Sequence, residues 1–148
     1  MIAGEGFFVD SNVILYYVDP RDVDKQAHAA EWLGALWTSG SGRLSWQVLH
    51  EFYWNATKKM QLDAVVAREM LDDLAQWKPV DSSHGLIKQA WHWMDVAQLS
   101  YWDALIVAAA QRCGARFLLS EDFQADRNFD DVRVVNPFQH QAAEFLSC

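Results

Sequence analysis

Short continuous apolar runs alternate along the chain with stretches of helical spacing. Phe7-Phe8-Val9 ends at Asp10-Ser11-Asn12 and predicts a buried strand followed by a polar turn. Val13 to Val18 predicts a short helix capped by Ser11 or Asn12 and ended at Asp19-Pro20. Between Asp24 and Trp37, Ala27, Ala30, Leu33 and Trp37 lie on one helical face, and Ser39 to Gly42 reads as a loop. Arg43 to Ser45 predicts a short strand. The positions Val48, Leu49, Phe52, Tyr53 and Ala56 then predict a helix from Trp46 to Met60.

Asp63 is the expected cap of a helix from Ala64 to Trp77, which Pro79 stops, and Pro79-Val80 suits an edge strand. Ser82 or Ser83 opens a helix to about Val96. Tyr101 to Cys113 is apolar on most sides, as a buried central helix is, with Gly114 ending it. Arg116 to Ser120 and Val132 to Val135 predict two more strands, the first fully buried, and a short helix is expected in the tail from Phe138. Strands alternating with helices predict an α/β fold with a mainly parallel sheet. No repeat, low-complexity stretch or linker interrupts the pattern. One domain is expected over 1–148, with a core at about 7–137 and a short C-terminal tail.

Composition narrows the class. Among 148 residues, 51% are hydrophobic and 22% charged, which argues against disorder. No apolar run reaches the roughly 18 residues of a membrane span, and Met1 to Gly6 lacks the features of a secretory signal, so a cytoplasmic protein is expected. Cys113 and Cys148 are too few for a disulfide framework or a zinc site and are expected as free thiols. The formal charge of −8 argues against holding nucleic acid by bulk electrostatics, although a bound cation reverses the local sign. Eight tryptophans predict a Trp-rich core or a subunit contact.

The placement of the acids carries the chemistry. Two predicted strands run into carboxylates at their C-terminal ends, one at Asp10 and the other at Ser120-Glu121-Asp122, where ligands bind in open parallel sheets. Glu51 interrupts the run Val48 to Trp54, and Asp103 opens the most apolar helix. Taken singly, Asp10 or Asp103 reads as a helix cap and Glu51 as part of a solvated strip with Asn55. Together, four such acids predict a carboxylate cluster. Converging carboxylates repel one another, and a hard divalent cation relieves that repulsion. Oxygen ligands select Mg²⁺ or Mn²⁺. No zinc-ligand spacing, glycine-rich phosphate loop or nucleophile elbow is present.

From Phe7 to Pro137 the chain resembles the PIN-domain family of nucleases. Four segments carry the resemblance: Phe8-Val9-Asp10-Ser11-Asn12-Val13, Val48-Leu49-His50-Glu51-Phe52, Tyr101-Trp102-Asp103-Ala104-Leu105, and Leu118-Leu119-Ser120-Glu121-Asp122. The resemblance implies a three-layer fold, with a central mainly parallel sheet flanked by helices. It also implies Asp10, Glu51, Asp103 and Asp122 as catalytic acids, with Mg²⁺ or Mn²⁺ held by Asp10, Asp103 and Asp122. Asn12 and Ser120 are the expected supporting residues, and Glu121 and Asp126 stay open as further acids. Within the family the chain is similar to VapC-type toxins of toxin–antitoxin pairs. That likeness implies an RNA endonuclease, usually a homodimer, silenced by a small antitoxin protein encoded nearby.

Lys58 and Lys59 are candidate RNA contacts, together with Arg112, Arg116 and Arg127, each set against a plain solvated surface. Trp46, Trp54 and Trp102 flank the acidic segments and either stack unpaired bases or serve core packing or a dimer contact. Trp91 and Trp93 are expected at a dimer contact. Three other readings remain open. A metal-dependent receiver wants a second early acid where Asn12 stands and a lysine after a late strand. A haloacid-dehalogenase-type phosphatase wants Asp-x-Asp where Asp10-Ser11-Asn12 stands. A non-catalytic RNA-binding module of the same fold is the third.

Overall fold

The apolar runs at Gly6–Val9 (β1) and Ala115–Leu119 (β3) lie side by side and parallel in the computed structural model, which describes residues 5–146. Gly42–Arg43 (β2), Asn128–Phe129 (β4) and Val132–Val135 (β5) complete a five-stranded sheet in the order β2-β1-β3-β5-β4. All pairs are parallel except β4 with β5. Six helices flank the sheet: Ser11–Tyr17 (α1), Val23–Ser39 (α2), Trp46–Lys58 (α3), Ala64–Leu74 (α4), His84–Ala97 (α5) and Tyr101–Arg112 (α6). The architecture is the three-layer α/β fold expected. Helix α6 packs on β3 and β5 and against α5, while α1 packs against α2 and α3.

The strand pattern explains the core. Every side chain of Phe7, Phe8 and Val9 is fully buried, as a strand covered on both faces requires. Phe7 stacks on Phe117 at 4.9 Å between ring centroids and meets Trp32 at 5.9 Å. The Trp32 indole N–H donates to the carbonyls of Pro137 and His140, both at 3.0 Å, so one buried tryptophan ties the C-terminal segment to the core. Ala104 to Ala110 of α6 are all buried, which confirms the central helix. Gly114 follows that helix at φ 72°, a left-handed conformation that glycine adopts without a steric penalty.

Several boundaries differ from the expected ones for local reasons. Helix α1 starts at Ser11 because Asp10 is its cap, accepting the Ser11 N–H. Helix α2 starts at Val23 behind Asp22, and α3 ends at Lys58. Strand β2 lies at Gly42–Arg43, one residue earlier than expected at its start. A Cβ on Gly42 would run into the Trp77 ring, so this crossing admits only glycine. Ser45 leaves the strand to cap α3 and makes a single parallel bridge with Val80, which is all that forms of the expected edge strand.

Helix α4 tightens into a 3₁₀ turn at Ala75–Trp77 before Pro79. Strand β4 was not expected. It turns into β5 through Asp130-Asp131, with Asp130 at φ 54°, a hairpin turn without the usual glycine signal. The tail forms one 3₁₀ turn at Ala142–Glu144 in place of a helix. Among the described residues no helix is long and apolar enough to cross a membrane. Cys113 is a half-buried free thiol, and Cys148 lies outside the described residues.

Candidate active site

The pairing of β1 with β3 sets Val9 opposite Leu119, so the next residues, Asp10 and Ser120, leave the sheet together at its C-terminal edge. The Asp10 N–H continues the ladder to the Leu119 carbonyl at 3.0 Å. Asp10 is 5% exposed and Ser120 is fully buried. The Asp10 carboxylate accepts the Ser11 N–H on Oδ1 and the Ser120 hydroxyl on Oδ2, each at 2.8 Å. The Asn12 amide nitrogen lies between three acceptors: Asp10 Oδ2 at 3.3 Å, Ser120 Oγ at 3.1 Å and Asp122 Oδ2 at 3.1 Å. Asp10 and Asp122 are thus held around one neutral N–H donor, with Ser120 also accepting the Asp122 N–H at 3.1 Å.

Glu51 reaches the same place from α3. Its Oε1 accepts the Ser11 hydroxyl at 3.1 Å and its Oε2 the Gln47 amide at 3.4 Å, while Gln47 also donates to the Trp102 carbonyl at 3.2 Å. Asp103 arrives from the first turn of α6. It is not the cap of that helix: Ser100 is, accepting the Asp103 N–H at 3.2 Å. The strip of Gln47, Glu51 and Asn55 is half-buried and faces these acids rather than open solvent. Asp10 and Asp122 thus share the Asn12 amide, Glu51 joins them through Ser11, and Asp103 approaches from α6 without a hydrogen bond to the other three.

The electrostatics reflect this convergence. Burial pushes the Asp10 carboxyl up to about 7. Its hydrogen bonds from Ser120 and Ser11 oppose that rise, and the charges of Glu51 and Asp122 add to it. Burial also raises Glu51, with Asp103 and Asp122 contributing, against the hydrogen bonds from Gln47 and Ser11. Asp103 is raised by burial and by Asp122, against Ser100. Asp10, Glu51 and Asp103 thus each feel the charge of at least one neighbouring carboxylate.

The two acids left open lie elsewhere. The Glu121 side chain turns away to an ion pair with Lys25 at 2.7 Å, and only its N–H touches the site, at Asn12 Oδ1. Asp126 pairs with Arg133 at 2.8 Å. Ser11 and Gln47 were missed as site residues. Gln47 stands one turn before Glu51 on the same helix face, a spacing that places two side chains together.

Of the candidate cations, Lys59 borders the acids, in a polar groove of about 400 Å³ lined also by Asn12, Asn55 and Asp122. Lys58 stands over the Trp54 ring, 5.5 Å from its centroid. Arg112 and Arg116 sit at the opposite end of α6 and β3 from the acids. The Arg127 guanidinium donates to the Ala97 carbonyl at 3.1 Å. The aromatic expectations divide. Trp46, Trp54 and Trp102 are exposed, so none is a core residue. Trp91 is exposed as expected, but Trp93 is buried in the core and donates to Gln111 at 2.7 Å, so Trp93 does not serve a dimer contact.

The donor set around Asp10 is all oxygen apart from the Asn12 amide. As placed, no three His, Cys, Asp or Glu side chains among the described residues surround one point closely enough to chelate an ion. A closed zinc-type site does not fit. A hard cation that keeps most of its waters and takes one or two carboxylates does fit, and the buried, mutually repelling carboxylates favour such a counter-ion.

A family model described as PIN domain matches residues 7–134. No curated protein sequence matches the chain.

Proposed function

The chain belongs to the PIN domain family, whose members are generally nucleases acting on RNA or other nucleic acid, and from that premise we propose that it is a Mg²⁺- or Mn²⁺-dependent endoribonuclease. The observation that carries this reading is the hydrogen-bonded linkage of buried Asp10 with Asp122 and, through Ser11, with Glu51, from three separate segments, with Asp103 close enough to feel their charge. Of the three acids expected for the cation, Asp10 and Asp122, which share the Asn12 amide, would hold it directly and Asp103 would act on it through bound water. Asn12 and Ser120 fix the rotamers of Asp10 and Asp122. When bound, a divalent cation neutralises phosphate charge and acidifies water. Glu51, anchored by Ser11 and Gln47, takes the proton of the attacking water; its raised pKa brings it nearer the range of an effective base. In-line attack by that water breaks the P–O3′ bond. The 3′-oxygen leaves and takes a proton from solvent, giving a 5′-phosphate and a 3′-hydroxyl, and the 2′-hydroxyl is not used as nucleophile.

The test is incubation of the purified chain with RNA containing single-stranded segments. Cleavage in Mg²⁺ or Mn²⁺ that stops in EDTA is expected. Cleavage undiminished by the chelator overturns the metal assignment, and binding without cleavage points to a non-catalytic member of the family.

We further propose that the chain is a cytoplasmic type II toxin and a homodimer. The net charge of −8 suits a small basic antitoxin segment docking beside the acids better than it suits free RNA. Exposed Trp91 supplies aromatic surface of the kind enriched at subunit contacts. Growth arrest on expression, relieved by the product of a neighbouring short reading frame, is the expected phenotype. Light scattering at micromolar concentration is expected to give twice the chain mass, and a monomer there overturns the dimer.

A further inference from the structure

Helix α3 presents two adjacent ridges. Trp46, His50, Trp54 and Lys58 follow at intervals of four residues and are exposed; Gln47, Glu51 and Asn55 form the half-buried ridge beside them. The helix rises about 1.5 Å per residue, so its 13 residues give a track of about 20 Å with Glu51 near the middle. Different surfaces lie at the two ends of that track. Toward the N-terminal end is a groove of about 510 Å³ lined by Trp46, Gln47, His50, Glu51 and Trp102, over an apolar floor that includes Leu86 and Leu105. Toward the C-terminal end is the polar groove containing Lys59, Arg21 and Asn55. The two grooves meet at the acids, since Glu51 lines the first while Ser11, Asn12 and Asp122 line the second.

We propose that the groove between Trp46 and Trp102 is a nucleobase subsite, which takes the base of the nucleotide flanking the phosphate at the acid cluster in single-stranded RNA. This rests on the endoribonuclease reading and adds to it where the base goes. Trp46 and Trp102 are 37% and 62% exposed, although large apolar rings are usually withdrawn from water. Trp102 is not loose: its ring packs edge-on against Tyr101 at 5.2 Å, and Gln47 holds its carbonyl. Glu51 lines the same groove, so a base on this ring lies beside the acid cluster. Unpaired bases stack on aromatic side chains, whereas bases inside a duplex are withheld from them. His50, Gln47 and Ser82 supply polar groups along the wall for the base edges. The opposite groove holds Lys59, with Arg21 already paired to Asp19 and the acids Glu121 and Asp122 beside them. The first groove carries a single acid, Glu51, over its apolar floor, and so suits a base better than the second does.

The test uses the full chain, a 12-nucleotide single-stranded RNA, and the same ribose–phosphate chain lacking bases. Affinity is read by fluorescence anisotropy in Mg²⁺ on ice, and cleavage is then followed at 37 °C. Wild type is expected to bind the intact RNA about tenfold more tightly than the abasic chain, within the range of one base–aromatic stack. Trp102→Leu and Trp46→Leu are each expected to lose most of that preference while binding the abasic chain as wild type does. Trp37→Leu, an exposed tryptophan on another face, is expected to keep it. Equal affinity of wild type for both chains, or an undiminished preference in both groove variants, overturns the subsite. Loss of binding to a small protein partner with RNA affinity intact also overturns it and assigns the groove to a protein side chain. Base-dependent binding without any cleavage leaves the subsite standing and removes the endonuclease reading, so the two failures are distinct.

Discussion

Replacing Asp103 by Asn is expected to lower RNA cleavage by about 100- to 10,000-fold, the range spanned by a lost group in proton-transfer or metal-assisted chemistry, with the fold intact. The geometry separates this from damage to the helix. Ser100 caps α6, so the substitution leaves the cap in place. A negative charge in the first helical turn is worth about 0.3–1 kcal/mol, which the variant loses. In return one charge leaves a cluster in which burial and Asp122 already disfavour it. Asp103 is only half-buried, so both contributions are modest and stability in EDTA is expected to stay within about 1 kcal/mol of the parent. In Mn²⁺ the parent gains roughly 2.7 kcal/mol at a concentration 100 times Kd, and the variant gains less. Melting curves of both proteins in EDTA and in Mn²⁺, with cleavage measured on the same samples, provide the check. Equal metal-induced shifts with near-normal cleavage would return Asp103 to a purely helical role.

The parts of this site legible in the sequence are those where local pattern and global position coincide. Phe7-Phe8-Val9 is buried on both faces and Leu118-Leu119 joins it, whereas Phe117 is half-buried and Arg116 exposed. The fully buried strand expected from Arg116 to Ser120 therefore holds only in its C-terminal half, and both segments still read as continuous apolar runs. Their parallel pairing then leaves Asp10 and Ser120 side by side at the strand ends. Glu51 and Asp103 stood out because a carboxylate interrupts an apolar helix in each case. What stayed hidden depends on contacts distant along the chain. Glu121 and Asp122 are neighbours of the same chemistry, and it is Lys25 and Tyr16, both far away in sequence, that draw Glu121 out of the site. Trp46, Trp54 and Trp102 share composition with Trp32 and Trp93, yet the first three face water and the last two lie in the core. Strand β4 is two residues long and turns on Asp130 without glycine, so neither length nor turn chemistry announces it. Asp10 serves both readings weighed for it: it caps α1 through Oδ1 and meets Ser120 and Asn12 through Oδ2, so the cap and the site are one residue.

In EDTA, stability is expected to fall as pH rises from about 5 to 8, and a divalent cation is expected to reverse that slope. Asp10 carries the largest share. Its ordinary pKa is 3.8, and in the folded chain it is about 7. Below pH 4 the carboxyl is protonated in both states and its stabilising contribution is complete. Between those values the unfolded chain releases the proton and the folded chain keeps it, so the folded state binds more protons and loses ground as pH rises. The contribution is gone once pH passes 7. For a side chain this buried the span amounts to at most about 4 kcal/mol, and the raised Glu51 and Asp103 act in the same direction. Asp19 and Glu144, whose pKa values are lowered by Arg21 and by the Gln141 N–H respectively, have the opposite sign. Their stabilisation is lost only as pH falls below the usual carboxylate range, outside this window.

A cation competes with protons for the same carboxylates, so its stabilisation grows as they ionise. Urea midpoints at pH 5, 6, 7 and 8, with EDTA or with Mg²⁺, are expected to give slopes of opposite sign. The net charge of −8 also favours unfolding at higher pH through general repulsion, and Asp10→Asn separates the two causes. The variant keeps a capping oxygen and every other charge. If Asp10 is responsible, most of the slope in EDTA vanishes with the substitution; if the parent and the variant share one slope, the buried carboxylate does not govern the stability of this site.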